Sequence, residues 1–227
     1  MQEHSGRSAG ALFNEVSERI VGALIEKSIT TPDYYPMSLN ALTSACNQKS
    51  NRHPVVAFDE KTVARTLDEV RELGLVRVVS GGDQRVSKYR HVFDEQLGFN
   101  AAETAVLCEL MVRGAQTAGE LRGRVSRMHA FDELAQMQQV LENLCNRPEP
   151  VVVRLSRQQG RKESRYAHLL AGAPETAGEE GATPGPSSPM AHLEDERLSR
   201  LEASHEQLRQ EIADLRQQLE TFRQQFE

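Results

Sequence analysis

The heptapeptide SKYRHVF, Ser87 to Phe93, returns as SRYAHLL, Ser164 to Leu170, and that repetition decides how the rest of the chain is read. A repeated unit constrains both of its copies, because the fold of one must be open to the other. Upstream, VARTLDEVRELGLVRVVS (Val63 to Ser80) lies over MQQVLENLCNRPEPVVVRLS (Met137 to Ser156), which sets Leu67 over Leu141 and Val70 over Leu144. The second copy is longer by its Pro148-Glu149-Pro150 turn. Further back, RIVGALIEKS (Arg19 to Ser28) matches TAVLCELMVRG (Thr104 to Gly114) in pattern rather than identity. A period of roughly 75 residues is too long for a solenoid repeat and suits a duplicated small domain, each copy burying its own core.

Within the first copy, Ile20, Val21 and Leu24 fall at helical spacing and predict a helix over Ser17 to Lys27. The two prolines of TTPDYYPMS (Thr31 to Ser38) stop it, and Ser38 can cap a second helix with Leu39, Leu42 and Cys46 inward. After the polar loop NQKSNRHPVVAF, Asp59 suits the N-cap of a third helix, with Phe58 and Val63 as its hydrophobic staple. Val63, Leu67 and Val70 form the buried seam of that helix, and Gly74 is a left-handed stop. LVRVVS, the turn GGDQ and RVSKYRHVF then read as a β-hairpin. The second copy repeats the plan: Asn100 with Glu103 and Thr117 with Glu120 have capping-box spacing, a third helix spans Asp132 to Asn146, and a hairpin turns at RQQGRKE. Three helices followed by a hairpin is the winged helix-turn-helix plan, here in tandem.

The last segment has a different period. Leu198, Leu201, His205, Leu208, Ile212, Leu215, Leu219, Phe222 and Phe226 alternate spacings of three and four without a slip, which is a coiled-coil heptad seam. Charged flanks favour parallel self-association; a single amphipathic helix folding back onto the body is the other reading. Between the body and this seam lies a stretch with four Gly and four Pro in residues 172–192, the composition of a flexible linker. The expected organisation is therefore a frayed N-terminus (1–15), winged-helix domains at 16–95 and 98–171, a linker (172–192) and a coiled-coil helix (193–227). The fold class is mainly α with small β-hairpins.

The net charge of −6 is unevenly spread. Residues 1–170 hold 22 Lys+Arg against 21 Asp+Glu, and the remainder 5 against 12, so the acidity belongs to the tail. A near-neutral body can still carry a basic face. No run approaches the length of a membrane span, and the first residues lack the apolar core of a secretion signal. Cys46, Cys108 and Cys145 sit singly in apolar patterns, as buried thiols in a reducing cytoplasm would.

The chain contains no phosphate loop, no H-E-x-x-H, no C-x-x-C and no G-x-S-x-G elbow, so neither catalysis nor a metal or other cofactor is expected. The cations point elsewhere. Lys61 and Arg65 occupy the first turns of the third helix, where a recognition helix meets base edges, while Asp68, Glu69 and Glu72 beyond them would repel a phosphate backbone. Arg85 and Lys88 in the first hairpin, and Arg157, Arg161 and Lys162 in the second, would neutralise phosphates. Lys49, Asn51 and Arg52 in the preceding loop complete the candidate set, although asparagine is equally a turn former. Tyr34 and Tyr35 are expected to pack beside the third helix. The corresponding helix of the second copy offers Glu133, Gln136 and Gln139, which suits a protein surface better than DNA.

The stretch YYPMSLNALTSACNQKSNRHPVVAFDEKTVARTLDEVRELGLV (Tyr34 to Val76), continued by FDEQLGFNAAETAVLCELMVRGAQTAGELRGR (Phe93 to Arg124), resembles the YceH-like family of bacterial proteins. LNALTSACNQKSNR is its specific part, and the likeness covers roughly residues 16 to 171. The resemblance implies two winged-helix domains in tandem; it does not imply a reaction. Together these readings lead us to expect a cytoplasmic protein that binds double-stranded DNA in a regulatory or architectural role. It would be a homodimer through Leu198, Leu201, His205, Leu208, Ile212, Leu215, Leu219 and Phe222. The competing expectation is a tandem winged-helix scaffold that holds a protein partner.

Overall fold

A computed structural model of the protein describes residues 12–79, 86–157 and 163–173. The tips of both hairpins, with Arg85, Arg161 and Lys162, lie outside the described residues, as do the linker from residue 174 onward and the heptad seam.

The first helix, α1 (Glu15–Thr30), starts earlier than its apolar spacing predicts because Asn14 caps it. Asn14 Oδ1 accepts from the Ser17 N–H at 2.9 Å, and Ser17 Oγ accepts from the Asn14 N–H at 2.7 Å, which satisfies two otherwise orphaned donors. A single 3₁₀ turn (Pro32–Tyr34) leads to β1 (Met37–Ser38), then α2 (Leu39–Cys46) capped by Ser38, and α3 (Glu60–Glu72) capped by Asp59. Beyond Gly74, which takes φ 74°, come β2 (Val76–Val79) and β3 (Lys88–His91). The short α4 (Phe93–Leu97) bridges to the second copy: α5 (Ala101–Arg113), β4 (Gln116–Thr117), α6 (Ala118–Val125), α7 (Leu134–Cys145), β5 (Val152–Arg154) and β6 (Arg165–His168).

Each copy thus contains a three-stranded antiparallel sheet, in the order β1-β3-β2 and β4-β6-β5. The registers correspond residue for residue: Tyr89 faces Met37 and Val78 as Tyr166 faces Gln116 and Arg154, and His91 faces Val76 as His168 faces Val152. The heptapeptide repeat is therefore the central strand of both sheets. Strands β1 and β4 were not legible in the sequence, since two residues carry no alternation.

The expectation of two separate cores gives way to one. A single apolar cluster runs from Phe13 through α1, α5 and α7 to Leu170, and α1 is buried on nearly every side from Ile20 to Glu26. The two copies meet where α1 crosses α5. Gly22 makes the approach possible: a Cβ there would stand 2.7 Å from Val112 Cγ1 and 3.3 Å from Met111 Cβ. A glycine inside a helix costs about 1 kcal/mol of propensity relative to alanine, which the closer packing offsets. Phe13 stacks on Phe93 with ring centroids 6.4 Å apart, and its N–H donates to the Leu170 carbonyl at 2.8 Å.

Candidate nucleic-acid interface

α3 buries Val63, Thr66, Leu67 and Val70 and turns the opposite face to solvent. Lys61 and Arg65 stand one turn apart on that face, so they emerge together at the N-terminal end of the helix. Neither joins an ion pair among the described residues. Further along the same stripe Asp68 is held by Arg71 and Glu72 is exposed, so the face changes sign along its length. Lys88 is half-buried on β3, and Arg157 is exposed where the second hairpin leaves the sheet.

The NQKSNR loop departs from its expected role. Arg52 is 5% exposed, with its guanidinium donating to Glu26 and to the Ala45 carbonyl at 3.0 Å, so it cannot meet a phosphate. Burial of the α1 carboxylate explains this: a charge removed from water requires a partner, and Arg52 is one of the cations that fold onto Glu26. Asn51 adopts φ 58° and accepts from Arg113 of α5 through Oδ1. Asn47 clamps Phe58 twice, its Nδ2 donating to the Phe58 carbonyl and its Oδ1 accepting the Phe58 N–H, both at 2.8 Å. Gln48 Oε1 accepts from Arg52 at 3.2 Å. The loop is a brace with one outward cation, Lys49.

The brace belongs to a larger junction that the sequence reading missed. Glu26 on α1 and Glu109 on α5 each lie one turn before the end of their helices, and each is almost wholly buried. Arg52 follows α2 and Arg127 follows α6; Arg52 pairs with Glu26, while Arg127 bridges Glu26 and Glu109, the latter at 3.2 Å. Arg113 approaches Glu109 at 3.0 Å. Burial raises the Glu26 pKa, but the Arg52 hydrogen bond and the Arg52 and Arg127 charges together outweigh it, so its carboxyl is held below the usual range. The available signal was a glutamate inside each first helix, in a run otherwise apolar.

Tyr35 packs against β3, its hydroxyl oxygen accepting the His91 N–H at 2.6 Å, and Tyr34, expected beside the third helix, is 82% exposed. Ser28 Oγ, His91 Nε2 and Asp94 stand in a row, at 3.0 Å and then 3.3 Å from Nδ1. The Ser28 hydroxyl donates to the Ile25 carbonyl at 2.8 Å, so toward His91 it can only accept. That row pins β3 to α1. Cys46 and Cys108 are buried and Cys145 is half-buried, all as free thiols, and burial pushes Cys46 up to about 12. No helix among the described residues is long and apolar enough to cross a membrane.

The α7 face differs from that of α3. Gln136, Gln138, Gln139 and Asn143 are exposed, and Glu142 is the only charged residue within the helix. Fold and surface together define a mainly helical, duplicated protein in which one copy retains cations on its exposed third helix. The chain belongs to a family of bacterial proteins described as "Protein of unknown function, DUF480", which matches residues 13–161. It is 50% identical over 218 residues to a UPF0502 protein of Pelobacter propionicus, covering 95% of this chain and 99% of that one. A UPF0502 protein of Geobacter sulfurreducens is likewise 50% identical over 217 residues, with coverage of 95% and 99%. One from Opitutus terrae is 48% identical over 179 residues, covering 78% and 76%.

Proposed function

We propose that this is a cytoplasmic tandem winged-helix protein, of the YceH-like kind, that binds double-stranded DNA in a regulatory or architectural role and contributes no catalysis. The observation that carries the reading is the exposed pair Lys61 and Arg65 in the first turns of α3, where the helix dipole adds partial positive charge. Lys49 and Lys88 in the first copy, and Arg157 with Arg161 and Lys162 in the second hairpin, supply phosphate contacts. Residues 193–227 pair two chains through the heptad from Leu198 to Phe222. Each dimer then presents two α3 helices.

The test is fluorescence anisotropy of duplex DNA with the full chain across a salt series. Binding whose log K falls linearly with log salt, at about −0.9 per phosphate contact, supports the reading. Absence of salt-sensitive binding at about 50 mM salt, where electrostatic affinity is exaggerated, would discard it. Sedimentation of the full chain as a monomer would discard the dimer. The second reading, a scaffold for a protein partner, is favoured by the amide-rich face of α7, which has no cation to offer a phosphate.

A further inference from the structure

The junction between the copies is built of ion pairs, but its two signs are not equally visible from solvent. The side chains of Glu26 and Glu109 are 1% and 0% exposed, whereas Arg127 is 30% and Arg113 22% exposed above them. Arg124, at 38%, joins the same rim, donating to Gln116 Oε1 at 2.7 Å and lying 3.7 Å from Glu120. Glu26 and Glu109 form the floor and Arg113 and Arg127 the roof, while Arg124 shares its part of the rim with the exposed carboxylate of Glu120. Over the buried pairs an approaching anion therefore meets positive charge first, although the cluster is paired.

The rim also reaches into both copies. Arg113 donates to Oδ1 of the exposed Asn51, and Lys49 is exposed two residues earlier in the same loop. On the other side, Arg165 of β6 donates to the Ala115 carbonyl, joining the rim to the hairpin that carries Arg157. The guanidiniums are close enough to feel one another: burial holds Arg113 below its ordinary pKa and, against the pull of Glu109, Arg124 and Arg127 lower it further. Like charges converging on one rim are tolerated better when an anion is shared between them.

We infer that this seam, formed by Lys49 and Asn51 of the first copy with Arg113, Arg124 and Arg127 of the second, is a phosphodiester-binding surface across which the backbone of bound DNA runs. The inference rests on the DNA reading and deepens it. α3 reads bases, and the seam, not α7, positions the duplex on the second copy. Planar guanidiniums that offer paired donors suit phosphate oxygens.

The experiment measures duplex affinity and its salt slope for the full-length protein, the Lys49→Gln/Arg124→Gln variant, the same variant with Arg113→Gln added, and the Lys61→Ala/Arg65→Ala variant. Lys49 and Arg124 lie outside the buried carboxylate pairs, so the double variant, although it gives up the Arg124 bond to Gln116 Oε1, loses less stability than the triple variant and remains informative if the triple variant is unstable. The seam predicts a slope flattened by about 2 units in the double variant and about 3 in the triple, with affinity at least about tenfold weaker on every sequence tested. If the wild type binds DNA and the folded double variant matches it in affinity and slope, the seam is refuted while the α3 reading stands. If the wild type binds no DNA, both fall.

Discussion

The two copies place the same strands in the same registers, yet they treat the helix after the second turn of the fold in opposite ways. In the first copy, α3 is capped by Asp59, preceded by a loop locked through Asn47 and Arg52, and opens with Lys61 and Arg65 exposed. In the second, α7 follows Glu133, whose side chain makes no cap hydrogen bond, and exposes amides. Duplication preserved what the core requires and released what it does not. The entry of α3 is maintained by polar contacts that packing alone would not supply.

The largest expected effect breaks the parallel between the two junction arginines. Arg52→Ala leaves Glu26 buried with Arg127 alone and should cost about 3–5 kcal/mol in denaturant unfolding, whereas Arg127→Ala removes a partly exposed partner and should cost clearly less. Equal losses would show the copies to be equally dependent on their arginines. The same pair sets an acid limit. Because the folded pKa of Glu26 is depressed, its contribution is present above the unfolded value of about 4.3 and is lost as pH falls through the lower folded value. Glu26→Gln should be less stable at neutral pH and show a flatter acid limb in a pH-resolved thermal melt.

A smaller effect separates α1 from α5. Gly22→Ala pushes a methyl group into Val112 and should cost about 1–3 kcal/mol, and adding Val112→Ala should recover part of that loss; additive losses in the double-mutant cycle would place the strain elsewhere. For binding, Arg65→Ala should reduce affinity by about 1–3 kcal/mol on some sequences more than on others, while Gln139→Ala, at the α7 face, leaves DNA affinity unchanged. Loss of affinity from the α7 change would reverse the division of labour between the copies. The smallest difference lies at the caps: Asp59→Ala should cost about 0.5–2 kcal/mol by thermal melting and Glu133→Ala within about 0.5.

What the sequence showed of these contrasts follows from range. Caps and helix seams are short-range signals, so Ser38, Asp59, Asn100 and Thr117 could be read directly, as could the heptapeptide that became the central strands. Lys61 and Arg65 were legible as exposed because helical periodicity assigns them a face. Arg52 was not. In a polar loop no period distinguishes a cation pointing outward from one folded back onto a carboxylate twenty-six residues upstream. Arg113, Arg124 and Arg127 were illegible for the same reason: their shared rim exists only once α1 has docked on α5. Phe13 and Asn14, read as part of a frayed terminus, turned out to seal the core and start α1 because one apolar and one capping residue are too few to register as a pattern.

The bond from the Phe13 amide to the Leu170 carbonyl has a topological consequence. It joins the two ends of the described body, so the backbone runs out from one point and returns to it, with the duplicated halves strung between. A chain so closed can be reopened elsewhere. A circular permutant with residues 12 and 172 bridged by a short glycine-serine link and new termini at Gly98, between the halves, keeps every junction contact except the continuity of one turn. The ring also makes folding a matter of loop closure on the largest scale available, since the contact that completes the core forms only after nearly the whole body has been gathered.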